Sequence, residues 1–344
     1  LYEIKYLKKF KPVLNATDAF FFGTDRTTAS APHILDNLDI KRYMSTVIIA
    51  LIPPTVASIY FYGWRAVAII LVSYIFGGLT EVIFAIVRKK EIEEGLLVTG
   101  LIFPLILPPT VPLWVVAVGI VFGVIFGKEV FGGTGRNIFN PALVGRIFIT
   151  IAFTVIMTTS LQEPFVTGLG GFVKYTSDAV TSATPLGIYK TAQTLTPYLD
   201  LLTGRTPGCL GETFRLGIIL GGLFLMFTKV SNWRIPLSYL GSVLIFSWAG
   251  NLFFPGQIAP PLFQILTGGL LFGAFFMVTD PVTCPFTKSG KLIAGILLGL
   301  LTVLIRSFSG YVEGVMFSIL LVNAFSPLID SLVLSMKYRQ MKAK

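Results

Sequence analysis

The chain has 344 residues, of which 54% are hydrophobic and 13% charged, with a mean hydropathy of +0.79. A soluble domain is roughly 45–50% apolar and about 25% charged, so this composition excludes a disordered chain, a nucleic-acid-binding domain and a typical cytosolic enzyme. The net charge of +10 does not by itself imply a polyanion partner, because basic residues also set membrane orientation.

Residues 1–43 are polar and basic, carrying Lys5, Lys8, Lys9, Lys11, Arg26, Lys41 and Arg42, and read as a cytoplasmic segment rather than a cleaved leader. Ten apolar segments follow: 44–62, 66–87, 95–112, 113–131, 140–157, 213–229, 235–254, 261–279, 291–308 and 312–335. Most approach the roughly 20 residues that cross about 30 Å of hydrocarbon, where backbone groups must bond within their own segment. The expected fold is an all-α polytopic membrane protein of about ten transmembrane helices. The third helix is expected to be broken, because Pro104, Pro108, Pro109 and Pro112 cannot all sit in a straight interior. A kinked helix packed on its neighbours is the alternative.

Most of the 27 basic residues fall on one side if the N-terminus is cytoplasmic. The other side then holds only Arg65, Lys174, Lys190, Arg205, Arg215 and Arg306. The positive-inside rule thus places both termini in the cytoplasm of a prokaryotic cell, with the protein multi-pass in the cytoplasmic (inner) membrane. The polar connection 158–212 lies outside. It separates a first five-helix half, 44–157, from a second, 213–335, followed by a cytoplasmic tail, 336–344. Five spans per half force the halves into opposite orientation, as in an inverted repeat.

The outer connection holds Asp178-Ala-Val-Thr181-Ser182-Ala183-Thr184. On composition this is a capped, turn-rich loop. Its pattern resembles the site at which a flavin transferase attaches FMN, by a phosphodiester, to the final Thr. Thr184 is therefore the expected FMN carrier, with Asp178, Thr181, Ser182 and Ala183 as the recognition residues. A Thr hydroxyl is a weak nucleophile and needs an external enzyme to activate it.

With Gly127-Lys-Glu-Val-Phe-Gly-Gly-Thr-Gly-Arg-Asn-Ile-Phe-Asn-Pro-Ala-Leu143, Phe275-Phe-Met-Val-Thr-Asp-Pro-Val-Thr283 and Asn323-Ala-Phe-Ser-Pro-Leu-Ile-Asp330, the chain resembles a known family over nearly its whole length. The family comprises RnfD, a membrane component of the Rnf ion-translocating ferredoxin:NAD oxidoreductase, and its relative NqrB, a membrane component of the sodium-translocating NADH:quinone reductase. Thr184-Pro185-Leu186, Trp233-Arg-Ile-Pro236 and Gly310-Tyr-Val-Glu-Gly-Val315 look like the Rnf protein, which is the reading preferred here. Leu38-Asp-Ile-Lys-Arg-Tyr-Met44 looks more like the quinone-reductase protein, the alternative. A cofactor-free inverted-repeat channel or secondary transporter is the third reading.

The resemblance implies covalent FMN, a second, non-covalent flavin (riboflavin) in the membrane part, and outward transport of Na+ or H+. It also implies partners: further membrane and peripheral subunits, among them a second FMN-carrying subunit and iron–sulfur subunits, and a flavin transferase for maturation. Activity is expected only within that complex, in the lipid bilayer and with no nucleic acid. For riboflavin, the candidates are Gly133 and Gly135, whose backbones permit close approach, and Asn137 and Asn140, whose amides match the ring edges. The bland alternative is a tight turn before a helix that starts at Pro141. The intramembrane acid Glu81 is a candidate for the ion path or for a paired charge. Glu129 and Asp280 are further ion-path candidates, with pairing or capping by Lys128 or Lys288 as the structural reading. Arg306 is expected either to pair with Glu313 or a flavin phosphate, or to snorkel. One histidine, His33, and two cysteines, Cys209 and Cys284, exclude His-cluster metal chemistry and a disulfide scaffold.

Overall fold

The computed structural model describes residues 40–89, 95–166, 168, 170–172 and 182–342. Among them the regular structure is helical, with a single isolated bridge between Pro255 and Ile258. The first group is α1 (Ile40–Tyr62), α2 (Trp64–Arg88), α3 (Gly95–Leu105), α4 (Leu113–Gly127) and α5 (Pro141–Ala152). A short α6 (Thr154–Thr159), α7 (Pro185–Ala192) and α8 (Tyr198–Thr203) lie in the connection. The second group is α9 (Arg215–Phe227), α10 (Arg234–Phe253), α11 (Pro261–Leu266), α12 (Leu270–Phe272) with the π-turn Gly273–Met277, α13 (Lys288–Phe308) and α14 (Val315–Lys342).

Among the described residues, six helices are long and apolar enough to cross a membrane: α1, α2, α4, α10, α13 and α14. Three expected spans are short apolar helices instead, α3, α5 and α9. The expected span 261–279 is broken into α11, α12 and the π-turn. Prolines and glycines explain the breaks. Leu105 is followed by a turn that holds Pro108, Pro109 and Pro112, and Thr267-Gly268-Gly269 separates α11 from α12, with Gly268 at φ 62°. The segment 140–157 breaks at Phe153.

Both groups repeat one packing scheme. In the first, α2 packs on α4 and α3, α5 on α4 and α3, and α1 on α3. In the second, α10 packs on α13 and α11, α14 on α13 and the π-turn, and α9 on the π-turn. Across the two groups α1 meets α9 and α5 meets α14, so first helix meets first and fifth meets fifth. Contacts between counterparts are what a pseudo-two-fold arrangement produces. One apolar core runs through both groups, from Leu51 and Phe103 to Leu298 and Ile319. Apolar side chains also cover the outside of the bundle (Phe227 is 89% exposed), as expected of a lipid-facing surface.

Broken helices release carbonyls, and at bilayer depth each must find a donor. Here they do. Leu105 O accepts from Gly211 N at 2.6 Å, Leu107 O from Leu210 N at 3.0 Å and Val111 O from Arg65 Nη2 at 2.7 Å. Ile106 O accepts from Arg146 Nη1. In the second group Arg306 donates from Nη1 to Gln264 O (2.7 Å) and from Nη2 to Thr267 O (3.0 Å). Arg306 is 3% exposed, so it caps a broken helix rather than snorkelling.

The tightest pair, α10 and α13, meets through small residues. A Cβ on Gly299 would lie 2.8 Å from Ser242 Cβ and 2.9 Å from Val243 N. Overpacking of this kind typically destabilises by about 1–3 kcal/mol. Gly299→Val is therefore expected to lower the unfolding temperature of the purified protein in detergent, while Gly241→Ala, at a half-buried position where a Cβ would meet nothing within 4 Å, leaves it unchanged.

Candidate functional site

The expected attachment residue Thr184 is the N-cap of α7. Its φ of −65° and ψ of 154° are extended, its Oγ1 accepts from Gly187 N at 3.2 Å, and Pro185 fills the first helical position. This is the local reason the sequence turns into a helix here. Thr184 is half-buried and Ala183 exposed, while the Ser182 hydroxyl is buried with no partner among the described residues. Asp178 and Thr181 lie outside the described residues, as does His33.

Two contacts fix this arm against the bundle. Leu186 and Tyr189 bury against Leu201, Ala259 and Phe263, and Lys190 Nζ donates to Ser309 O (2.6 Å) and Tyr311 O (2.9 Å). The free N–H groups at a helix start carry partial positive charge and favour phosphate. An esterified Thr184 would thus hold its phosphate at the favourable end of α7. These residues fit a phosphodiester.

At the opposite end of the bundle, a cavity of about 80 Å³ opens between the two groups. Its polar lining includes Tyr43, Thr99, Lys128, Thr134, Asn137, Asn140, Ser231, Thr279 and Asp280, with Val98, Ile102, Leu225 and Phe276 among its apolar walls. Asn140 Oδ1 caps α5 through Ala142 N (3.1 Å), and Asn137 Nδ2 donates to Phe139 O (3.1 Å). The buried hydroxyls of Thr134 and Ser231 have no partner among the described residues. Apolar walls with a few unsatisfied polar atoms are what a flat ring with polar edges needs, so the donor set fits a flavin ring.

Gly133 and Gly135 are absent from the lining. They stand at φ 106° and 83° in the turn 132–135, where a left-handed backbone requires glycine, and a Cβ on Gly135 would meet nothing within 4 Å. They serve the turn rather than a close approach to the cavity.

The intramembrane acids pair differently from the expected scheme. Glu81 on α2 meets Lys128 Nζ, each side chain only 5% exposed. Glu129 pairs with Arg88 at 3.2 Å. Asp280 caps its own turn, accepting from Val282 N at 3.2 Å and Thr283 Oγ1 at 3.1 Å, without Lys288. Asn137, Asn140 and Asp280 are thus brought to one cavity, with Glu81 behind Lys128. Glu129 is outside it, and Thr184 is at the other end. The sequence reading missed Lys128, Thr134 and Ser231 as lining; Lys128 and Thr134 sit inside the quoted Gly127–Leu143 stretch, which was the available signal.

The NQR2, RnfD, RnfE family matches residues 27–339 of the chain. The B subunit of the Na(+)-translocating NADH-quinone reductase of Ectopseudomonas mendocina (strain ymp) is 35% identical over 386 residues, covering 98% of this chain and 94% of that protein. Its namesake from Yersinia pestis is 33% identical over 98% of this chain and 95% of its own length. That from Pseudomonas aeruginosa (strain LESB58) is 33% identical over 98% and 94%.

Removing one partner of a buried ion pair strands the other and costs about 3–5 kcal/mol, whereas replacing both is often nearly neutral. Lys128→Met alone should therefore sharply lower the thermal stability of the protein in detergent. The double variant Glu81→Gln/Lys128→Met should recover most of that loss.

Proposed function

The chain belongs to the NQR2, RnfD, RnfE family, and we propose that it is a flavin-carrying electron-transfer subunit of an ion-translocating oxidoreductase. The observation that carries this is the Thr184 hydroxyl, held at the start of α7 beside exposed Ala183, where a transferase can reach it and a phosphate is stabilised. Bound flavin supplies the one- and two-electron chemistry that these side chains lack. Thr184 anchors FMN, α7 fixes the anchor to the bundle through Tyr189 and Lys190, and the Asn137–Asn140 cavity holds riboflavin. Asn137 and Asn140 orient the ring edge, and Lys128 places a positive charge beside it. Glu81 keeps that charge in position.

The acceptor in this reading is a quinone and the transported ion Na+, supported by relatives of that name that match along the whole chain. A second reading, ferredoxin:NAD oxidoreductase of the Rnf type, is favoured by Thr184-Pro185-Leu186, Trp233–Pro236 and Gly310–Val315. Either way NADH, ferredoxin and iron–sulfur centres belong to partner subunits, since this chain has no dinucleotide fingerprint. The 158–212 connection is assigned to the outer face of the cytoplasmic membrane and both termini to the cytoplasm. The repeated packing scheme and the basic asymmetry support two inverted halves, 44–157 and 213–335.

Denatured protein coexpressed with a flavin transferase should fluoresce in a gel under ultraviolet light. Thr184→Ala should be dark, with electron transfer through the assembled complex reduced to background. A wild-type band without fluorescence would remove covalent flavin from this reading. Quinone-dependent NADH oxidation by the assembled complex, against ferredoxin-dependent NAD reduction, separates the two acceptors.

A further inference from the structure

The pseudo-two-fold gives the Asn140 cavity a counterpart at the Thr184 end. The first is lined by the start of α1, the body of α3, the loop before α5 and the end of the π-turn region (Tyr43, Val98, Asn137, Asp280). The second is lined by the segment before α9, Gly269 and Phe272 of the broken third helix, the loop before α14 and the end of α3 (Glu212, Glu313, Leu105). The elements correspond, but the chemistry does not. The second cavity presents two glutamates, Arg146 and the Cys209 thiol between apolar walls.

Its geometry is specific. Glu212 Oε1 accepts from Cys209 N at 2.6 Å, and Glu313 Oε1 from Arg306 Nη2 at 2.8 Å. The other oxygen of each carboxylate lies on the Gly269 side of the cavity, 3.4 Å (Glu212) and 3.7 Å (Glu313) from where a Gly269 Cβ would stand. Both oxygens thus face Gly269, at ordinary contact distance from that point. Arg146, 8% exposed and lining the cavity, has an Nε with no partner among the described residues. An unpaired buried donor is costly, and a water needs about 10–15 Å³ and two to four polar partners. The cavity holds about 30 Å³. A water there can accept from Arg146 Nε and donate to both free carboxylate oxygens.

Charge balance says what else the site takes. Three buried arginines surround it, Arg146, Arg215 and Arg306, against two carboxylates. Each arginine also donates to a carbonyl at or near a helix end, Arg146 to Ile106 O after α3, Arg215 to Leu201 O in α8 and Arg306 to Gln264 O in α11, while Arg306 in addition pairs with Glu313. A helix C-terminus contributes up to roughly half a negative charge. With both glutamates ionised, the cluster therefore lies within about half a charge of neutral, and adding one proton leaves it about as close on the other side. Such a site gains or loses a proton without stranding a full charge.

We propose that this cavity binds water and one exchangeable proton, the proton shared between Glu212 and Glu313 and the water held by Arg146. Two carboxylates lining one small cavity do not both stay ionised readily. Burial raises the Glu313 carboxyl above the ordinary carboxylate range; Arg306 opposes the rise and the charge of Glu212 adds to it. The other groups facing the pair are Arg146 from α5, Arg215 from α9, the Cys209 thiol, Tyr62 from α1 and Tyr239 from α10. The proton site does not depend on where either flavin sits.

The test is infrared difference spectroscopy of the assembled complex at fixed redox state, on pH steps and on exchange into D2O. The expected result is a carboxylic-acid C=O band that shifts in D2O, fades as pH rises, shifts on labelling with carbon-13 glutamate, disappears in Glu313→Gln and moves or disappears in Glu212→Gln. Absence of any such band in the wild type overturns the proposal. So does a band that ignores the glutamate label, which would be an aspartic acid such as Asp280, or one unchanged in both variants. The label decides between Glu and Asp even if a variant fails to assemble.

Discussion

A carbonyl released inside a membrane has no water to turn to, and this constraint organises the whole bundle. The third helix of each group is interrupted, and every interruption frees acceptors. Arginines answer them: buried Arg146 and half-buried Arg65 at the end of α3, and buried Arg306 at the end of α11. Backbone donors from Leu210 and Gly211 complete the set and stitch the connection to the first group. Without these donors the breaks would not be tolerated. Without the breaks, no cavity would open between the groups.

The two cavities show how one scaffold is used twice. Both sit where a broken third helix, the loop before a fifth helix and the start of a first helix converge. In one, amides and unpartnered hydroxyls face apolar walls, a lining suited to a flat ring. In the other, the carboxylates of Glu212 and Glu313 line the cavity beside Gly269. The architecture is repeated and the side chains diverge, so the halves need share little sequence to share a fold.

The class of the protein was legible because lipid imposes composition on every span. The helix start at Pro141 was legible because it is local, and the structure adds Asn140 as its cap. What could not be read depended on long-range pairing. Lys128 was expected near Glu129 or Asp280, yet it meets Glu81, 47 positions away in the chain. Arg306 carried equal claims to pairing and snorkelling until α11 was placed against it. The glycines of the 132–135 turn were ambiguous in the sequence, since a glycine run suits a ligand cradle and a left-handed turn equally; the backbone angles show the turn. Span lengths were overread for a similar reason, since apolar composition continues through Phe153 and the turn at Gly268 although the helix does not.

The burial of Arg215 and Arg306 bears on how the two ends meet other proteins. Counted along the chain, the Thr184 end owns several cations. Water at that end meets only Lys190 and Arg205 among the described basic residues that are fully exposed, with Glu163 and Asp200 nearby in the same connection to offset them. The opposite end displays Arg88, Lys89, Arg136, Lys229 and Lys288. A partner docking there can be selected by acidic complementarity and lost at high salt, whereas among the described residues the Thr184 end offers little net charge for such selection.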